Sequence, residues 1–587
     1  MNIITVNHSL FSFFLFCSSS SSSNMANAIS NPASFIGVHS PIAQIRIPRL
    51  CVAKGMPTPI AQRDIILQDQ IQLENTCIRH AKALKEARLA FSKVRKDHSQ
   101  NLIMIDALQR LGIDYHFQEE TQDVLEGQYN KIFAAHQQHH LSDAALRFRL
   151  LRQQGYYVPA SDVFSELKNR EGKFKQELAA DIKGLMELYE ASQLSIQEEN
   201  ILDEAGAFSA HFLNCWTPHL CDHQTRIVSN TLKHPFHRTL ARSTIKNFLH
   251  FYNFQGENEY IQTFTELAKL DFNMIQSIHR QEINQVSNWW NNLGLASELK
   301  FARDQPEKWC MWPLVGVTDP SLSWQRIELA KPVSLVYLID DIFDLGGTPD
   351  QLTLFTEAVN RWEITATEDL PYHMKICFRA LYDVTNQIAY KVYKKHQYNP
   401  IHSLKKAWAR LCNAFLEEAK WFAAGKLPKA DEYLNTAIVT SGVHLVLVHT
   451  FFLMGDGITD QTINLLNNDD PGIISSVATI LRLWDDLGSA QDENQDGYDG
   501  SYIECYMKDF PGTSVRDARN HVISMISDTW KKLNQHCLSP NPFSGSFIRA
   551  TLNGARMVPL MYDFDSNHNL PILQQNIKSL LFESVAI

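Results

Sequence analysis

Between Val333 and Asp350 the chain reads Val-Ser-Leu-Val-Tyr-Leu-Ile-Asp-Asp-Ile-Phe-Asp-Leu-Gly-Gly-Thr-Pro-Asp, an apolar helical run that ends on Asp340, Asp341 and Asp344. Few folds tolerate that arrangement. The C-terminal end of a helix already carries partial negative charge, so each anion there is disfavoured by ~0.3–1 kcal/mol. Burial beside apolar walls adds several kcal/mol per unpaired ion. Gly346 and Gly347 are expected to stop the helix in the left-handed conformation. Thr348 is a good N-cap for the next helix, with Pro349 in its first turn and Gln351 completing a capping box. Asp340 and Asp344 then stand one above the other near the helix end. A bound cation is the simplest compensation. Oxygen ligands with no Cys or His beside them point to Mg2+ or Mn2+, not zinc. Taken alone, the cluster also reads as a solvated acidic helix end.

A second acidic group removes much of that ambiguity. Over Pro471–Gly497, Ile473, Val477, Ile480, Leu481, Trp484 and Leu487 form one apolar stripe, and Arg482, Asp485, Ser489 and Glu493 lie on a neighbouring face. Asp485, Ser489 and Glu493 recur at i, i+4 and i+8, so their side chains stack over two turns and can converge on one octahedral cation. Asp486 and Asp492 read as neighbours, not ligands. Two acid clusters near the ends of apolar helices argue for a shared function.

The rest of the chain is read as an all-α protein. From Asp64 onward apolar residues recur at three- and four-residue spacing, as in Glu177–Tyr189 and Leu267–Trp290, without period-2 runs or a Gly-rich phosphate loop. The natural division falls near residue 265, giving an N-terminal helical unit over 64–265 and a catalytic unit over 266–587 that holds both clusters. With 44% apolar and 20% charged residues, the 587-residue chain can bury full cores. A net charge of −10 and no basic stripe argue against nucleic acid as partner. Ten scattered cysteines without a CxxC pair fit reduced thiols, mostly buried. No uninterrupted apolar run reaches the 18 or so residues of a bilayer span, so no membrane span is expected. The first 63 residues contain no Asp or Glu and include the serine run Ser18–Ser23. That is transit-peptide composition, most consistent with a plastid target; the cytoplasm is the alternative.

Here a resemblance becomes specific. Asp340-Asp-Ile-Phe-Asp344 resembles the DDxxD motif of class I terpene synthases, and Asp485, Ser489 and Glu493 resemble that family's second motif, (N/D)DxxSxxxE. Phe301-Ala-Arg-Asp-Gln-Pro-Glu-Lys-Trp-Cys-Met-Trp312 resembles the RDR segment upstream of DDxxD. The resemblance covers about residues 65–587. It implies a class I terpenoid synthase fold behind an N-terminal helical barrel-like domain, and three divalent ions per site. The ions would be held by Asp340, Asp341, Asp344, Asp485, Ser489 and Glu493, with Arg303 and Arg482 on the substrate diphosphate. It also places Trp312 on the pocket wall and Asp565 near the pocket, where a loop acid is the alternative; Tyr562 is read as a second aromatic face toward the substrate, with a core residue as the alternative. The chain is expected to act as a monomer.

Three departures from the family pattern narrow the reading. Gln305 replaces the second arginine of RDR, and Ser501 stands where a lysine often follows the second motif. No tryptophan precedes Trp216, so the RRx8W motif of cyclising members is missing. Among plant members this pattern resembles the subfamily that makes acyclic tertiary alcohols. Geranyl diphosphate would give linalool, and farnesyl diphosphate nerolidol. The class II signature DxDD is missing too, which leaves the N-terminal half a structural role. The rivals are a cyclising synthase, a chain-elongating prenyltransferase and a non-catalytic helical scaffold. His136, His139 and His140 read as a solvated face and not a zinc site. Trp289–Trp290 reads as packing between the two units.

Overall fold

The computed structural model describes residues 60–94, 98–132, 140–252, 259–468, 471–489, 500–538, 540–562 and 571–586. The proposed leader (all but its last few residues), His136, His139, Asp492, Glu493 and Asp565 lie outside them, as does the side chain of Ser489. Among the described residues the chain is helical with no named strand, only an isolated bridge between Lys168 and Phe174.

Apolar side chains collect into two large clusters. One holds residues such as Phe91, Phe117, Phe148 and Leu188, and the other is built around Trp309, Leu335, Phe355, Trp408 and Phe451. α1 (Ile60–Val94) packs along α2 (Glu259–Leu293), which joins the clusters. Phe264, Leu267, Leu270 and Phe272 of α2 belong to the first cluster, and Ile283, Val286 and Trp290 to the second. The boundary read at residue 265 therefore falls inside one continuous helix. The histidine- and arginine-rich joint at Lys233–Arg242 lies where the clusters meet. His237 Nε2 is 2.8 Å from Asn534 Oδ1, and Arg238 sits 5.3 Å over the Trp530 ring.

The second cluster is a bundle of α3 (Ser323–Leu345), α4 (Pro349–Arg361), α5 (Tyr372–His396), α6 (Ile401–Ala423), α7 (Ala430–Thr440), α8 (Val443–Met454), α9 (Asp460–Asn468), α10 (Gly472–Ser489), α11 (Tyr502–Asp509), α12 (Val515–Leu538), α13 (Gly545–Met561) and α14 (Pro571–Leu581). Ala430–Met454 is long and apolar enough to cross a membrane, with mean hydropathy 1.8, although no single uninterrupted run suggested it. Its most apolar window is 78% buried in the bundle, and Gly442 at φ +70° breaks it into α7 and α8. A side chain at Gly442 would also press on Val336 of α3 at 3.0 Å. The segment is core. Of the eight cysteines described, none forms a disulfide and four are buried.

α3 ends at Leu345, and the capping box of Thr348 and Gln351 forms at the start of α4. The stop itself is not the one expected. Gly346 has φ −100°, not a left-handed value. Crowding explains the glycines instead: a Cβ on Gly346 would lie 3.0 Å from Phe301 Cζ and 3.1 Å from Ile342 backbone atoms, and one on Gly347 2.5 Å from Met374 Cε.

Candidate active site

α3 delivers Asp340 and Asp341 into the protein, 0% and 4% exposed. One turn on, Asp344 is exposed, so the pair expected to stack divides between interior and rim. Burial pushes the Asp341 carboxyl up, against the lowering pull of Arg303. Arg303 Nη2 lies 2.6 Å from Asp340 Oδ2 and 2.6 Å from Asp341 Oδ1, while its backbone N–H donates to Asp341 Oδ2 at 2.7 Å. Burial works against the guanidinium charge, but these carboxylates outweigh it and hold Arg303 firmly protonated.

α10 brings the second group. Arg482, Asp485 and Asp486 are all buried, at 2%, 5% and 3% exposure. Arg482 donates to Ala437 O at 3.3 Å, Asp485 Oδ2 at 3.4 Å and Thr440 Oγ1 at 3.2 Å, which ties α10 to α7. Asp486 lies 3.7 Å from the same Arg482 nitrogen and also accepts from the Tyr433 hydroxyl and from the Tyr502 backbone N–H, each at 3.0 Å. That anchors the chain beyond the second cluster. Ser501 is the N-cap of α11, accepting from the Glu504 N–H, a use quite unlike that of a lysine.

Between the groups lies an apolar cavity lined by Trp312, Val333, Val336, Tyr337, Ser441, Gly442, Val443, Val446, Leu447, Val477, Leu481 and Gly554. Both acid-bearing helices contribute walls, Tyr337 from α3 and Leu481 from α10. Trp312 lines this cavity and donates its ring N–H to the Tyr337 hydroxyl at 3.0 Å. Burial drives the Tyr337 phenol up, and the charges of Asp340 and Asp485 push it in the same direction. Tyr562, also buried, is raised by burial and then by Asp485. Both phenols therefore lie within the electrostatic reach of both acid clusters.

Sequence reasoning passed over Tyr337 and Glu418. Tyr337 sits in an unbroken apolar helix and carries no motif. Glu418 on α6 accepts from Thr440 Oγ1 at 2.9 Å, the hydroxyl that also meets Arg482, and burial raises it to about 7. Trp290 is not packing between the two units as expected. It stacks edge-on against Trp309 inside the second cluster, and its ring N–H donates to Asp304 at 2.8 Å, steadying the turn that carries Arg303.

Asp340, Asp341 and Asp485 offer buried carboxylate oxygens, hard donors that suit a divalent ion of the Mg2+ type. Fold and site thus define a class of helical enzyme with acid groups beside an apolar cavity. Comparison with known proteins agrees. Residues 291–532 match the terpene synthase family's metal-binding domain, and residues 61–233 its N-terminal domain. "Probable terpene synthase 13" of Ricinus communis is 55% identical over 86% of this chain and 89% of its own length. An (E)-nerolidol synthase of Cannabis sativa is 51% identical over 82% and 88%, and the chloroplastic S-(+)-linalool synthase of Arabidopsis thaliana 45% over 82% and 84%. The crystal structure of isoprene synthase from grey poplar, in complex with three Mg2+ ions and dimethylallyl-S-thiolodiphosphate, superposes with a TM-score of 0.78 at 34% identity. It covers 86% of this chain and 97% of that one. The chain belongs to the terpene synthase family. It is a lyase acting on a prenyl diphosphate and depends on a divalent metal.

Proposed function

We propose that this chain converts geranyl diphosphate to linalool and/or farnesyl diphosphate to nerolidol. The observation that carries this reading is the burial of Asp340, Asp341 and Asp485 beside one apolar cavity walled by Trp312 and Tyr337. The missing RRx8W motif, the Arg303-Asp-Gln-Pro sequence and the nerolidol and linalool synthases among its relatives support the acyclic outcome. The metal would be Mg2+, three ions per site, with Mn2+ as substitute. Asp340, Asp341 and Asp344 would hold it from one side and Asp485, Ser489 and Glu493 from the other. When bound, such ions act as Lewis acids toward the leaving diphosphate.

The chain's own residues do the rest. Arg303 exchanges its carboxylate partners for diphosphate oxygens, with a planar, always-charged fork suited to them. Arg482 steadies Asp485 and adds positive charge at the same end. The C1–O bond breaks and its electrons leave with the diphosphate, so the remaining cation is shared between C1 and C3. Trp312 and Tyr337 offer ring faces worth ~0.5–2 kcal/mol each to that cation. Water adds at C3 and passes a proton to the released diphosphate, giving a tertiary alcohol. The first 63 residues serve as a plastid transit peptide, residues 64–265 as a structural unit and 266–587 as the catalytic one, in a monomer. In the cytoplasmic alternative, farnesyl diphosphate becomes the available substrate.

The test is to incubate protein beginning near Arg63 with each diphosphate and Mg2+, then separate the volatiles by chiral gas chromatography. Linalool or nerolidol is expected. Limonene-like rings would overturn the acyclic reading, and longer prenyl diphosphates would point to chain elongation. Asp340→Ala should cut turnover by roughly a thousandfold or more, the scale of losing metal-assisted charge stabilisation.

A further inference from the structure

Away from the acid clusters, α1, α2 and the short turn Asp114–Phe117 bring three metal-ligating side chains together. His80 of α1 and His116 of the turn both aim Nε2 at one carboxylate oxygen of Asp271 on α2, at 3.0 and 3.1 Å. The Tyr115 hydroxyl donates to that same oxygen at 2.5 Å. An oxygen with two lone pairs is thus crowded by three donors. One ligand atom from each of His80, His116 and Asp271 lies within 4.8 Å of the other two. Around a tetrahedral zinc with bonds of about 2.0–2.2 Å, neighbouring ligand atoms stand about 3.3 Å apart. Two edges of that polyhedron are therefore already close to length.

The surroundings suit an ion. Burial pushes the Asp271 carboxyl up, but hydrogen bonds from His116 and His80 outweigh it and hold the group below the usual carboxylate range, ionised and able to ligate. Asp271 and His80 are buried, and the half-buried His116 leaves one side open to solvent. The frame is stiff: Phe117, beside His116, packs on Phe91 of α1 and Phe264 of α2, and Arg88 of α1 donates to the His116 carbonyl at 3.0 Å. The charged neighbours are Arg242, which donates to the Phe272 carbonyl at 3.2 Å, and Asp319, whose charge reaches Tyr115. Two imidazoles and one carboxylate select zinc over Mg2+, which prefers oxygen alone.

We propose that His80, His116 and Asp271 form a zinc site that ties α1 and the 114–117 turn to α2, with a fourth position left for water. The two Nε2 atoms would bind as acceptors, each ring keeping its proton on Nδ1.

The experiment strips the full chain of metal with a chelator, returns it to excess Mg2+ and titrates Co2+ as a coloured probe. A tetrahedral site with nitrogen ligands colours Co2+ strongly, whereas octahedral all-oxygen sites hardly do. One equivalent of strongly absorbing Co2+ is expected, displaced by one equivalent of Zn2+, with a melting temperature that rises on Zn2+ addition. Asp340→Asn should retain this uptake, as should Cys215→Ser, which removes the thiol 3.9 Å from His211 Nε2. His116→Ala should weaken it by roughly a hundredfold or more, since supporting residues alone carry 10–100-fold. His116→Cys keeps a ligand there and should restore uptake with a new thiolate-to-cobalt band, which a purely structural histidine would not produce. No strong colour in the wild type, colour that His116→Ala leaves unchanged, or colour lost in Asp340→Asn or Cys215→Ser overturns the proposal.

Discussion

The Arg303 guanidinium lies 2.6 Å from carboxylate oxygens of both Asp340 and Asp341, so part of the first acid cluster's charge is balanced from within the chain. Removing one partner of a buried pair leaves charge uncompensated, which typically costs ~3–5 kcal/mol. Arg303→Ala is therefore expected to lower the metal-free melting temperature while enlarging the rise that Mg2+ produces. Scanning calorimetry with and without the ion checks both, and an Mg2+ effect equal to wild type would contradict the counterion role. None of this pairing could be read from the sequence. Asp340, Asp341 and Arg303 were each legible as candidates, but the motif says nothing of whether an arginine 37 or 38 residues away rests on them. Tyr337 was hidden for a different reason, since an aromatic in an apolar helix looks like any other core residue.

Among the elements, α3 and the start of α4 were the most legible, because caps and apolar runs are local signals. The stop between them is not a local signal: the glycines at 346 and 347 answer to Phe301 and Met374, neighbours that become visible only in three dimensions. Gly347→Ala should consequently destabilise the protein by ~1–3 kcal/mol, as overpacking does, and chemical denaturation would measure it. Asp486 makes a similar point. In the sequence it is only a neighbour of the ligands, yet it holds both α7 and α11 through Tyr433 and Tyr502. Asp486→Ala is expected to speed amide exchange across Tyr502–Asp509 by hydrogen–deuterium exchange. Unchanged protection there would show that other contacts hold α11.

At the scale of the whole molecule, buried histidines make stability depend on pH. Burial lowers His237 to about 3 and His449 to about 4, and pushes His279 well down; Arg556 adds to the effect on His237, and Arg242 to that on His279. The unfolded chain protonates such groups near pH ~6.5. Between that value and about 4 the unfolded state binds more protons, so stability falls as pH falls. Glu418, raised to about 7, binds its proton first in the folded state and offsets part of this; with three lowered histidines against it, melting temperatures should still drop from pH 7 to pH 5. The decline should be shallower in His449→Gln, by up to ~1.4 kcal/mol per pH unit. Equal slopes in both proteins would remove His449 from the account.

The long helix shared by the two cores bears on any attempt to recombine this chain with its relatives. α2 offers Phe264 and Phe272 to one core and Val286 and Trp290 to the other, like a beam let into two walls. A crossover placed within it would seat one parent's apolar stripe against the other parent's sockets. Chimaeras that inherit the beam intact, together with the packing partners at both ends, should stay soluble where those spliced at its middle precipitate.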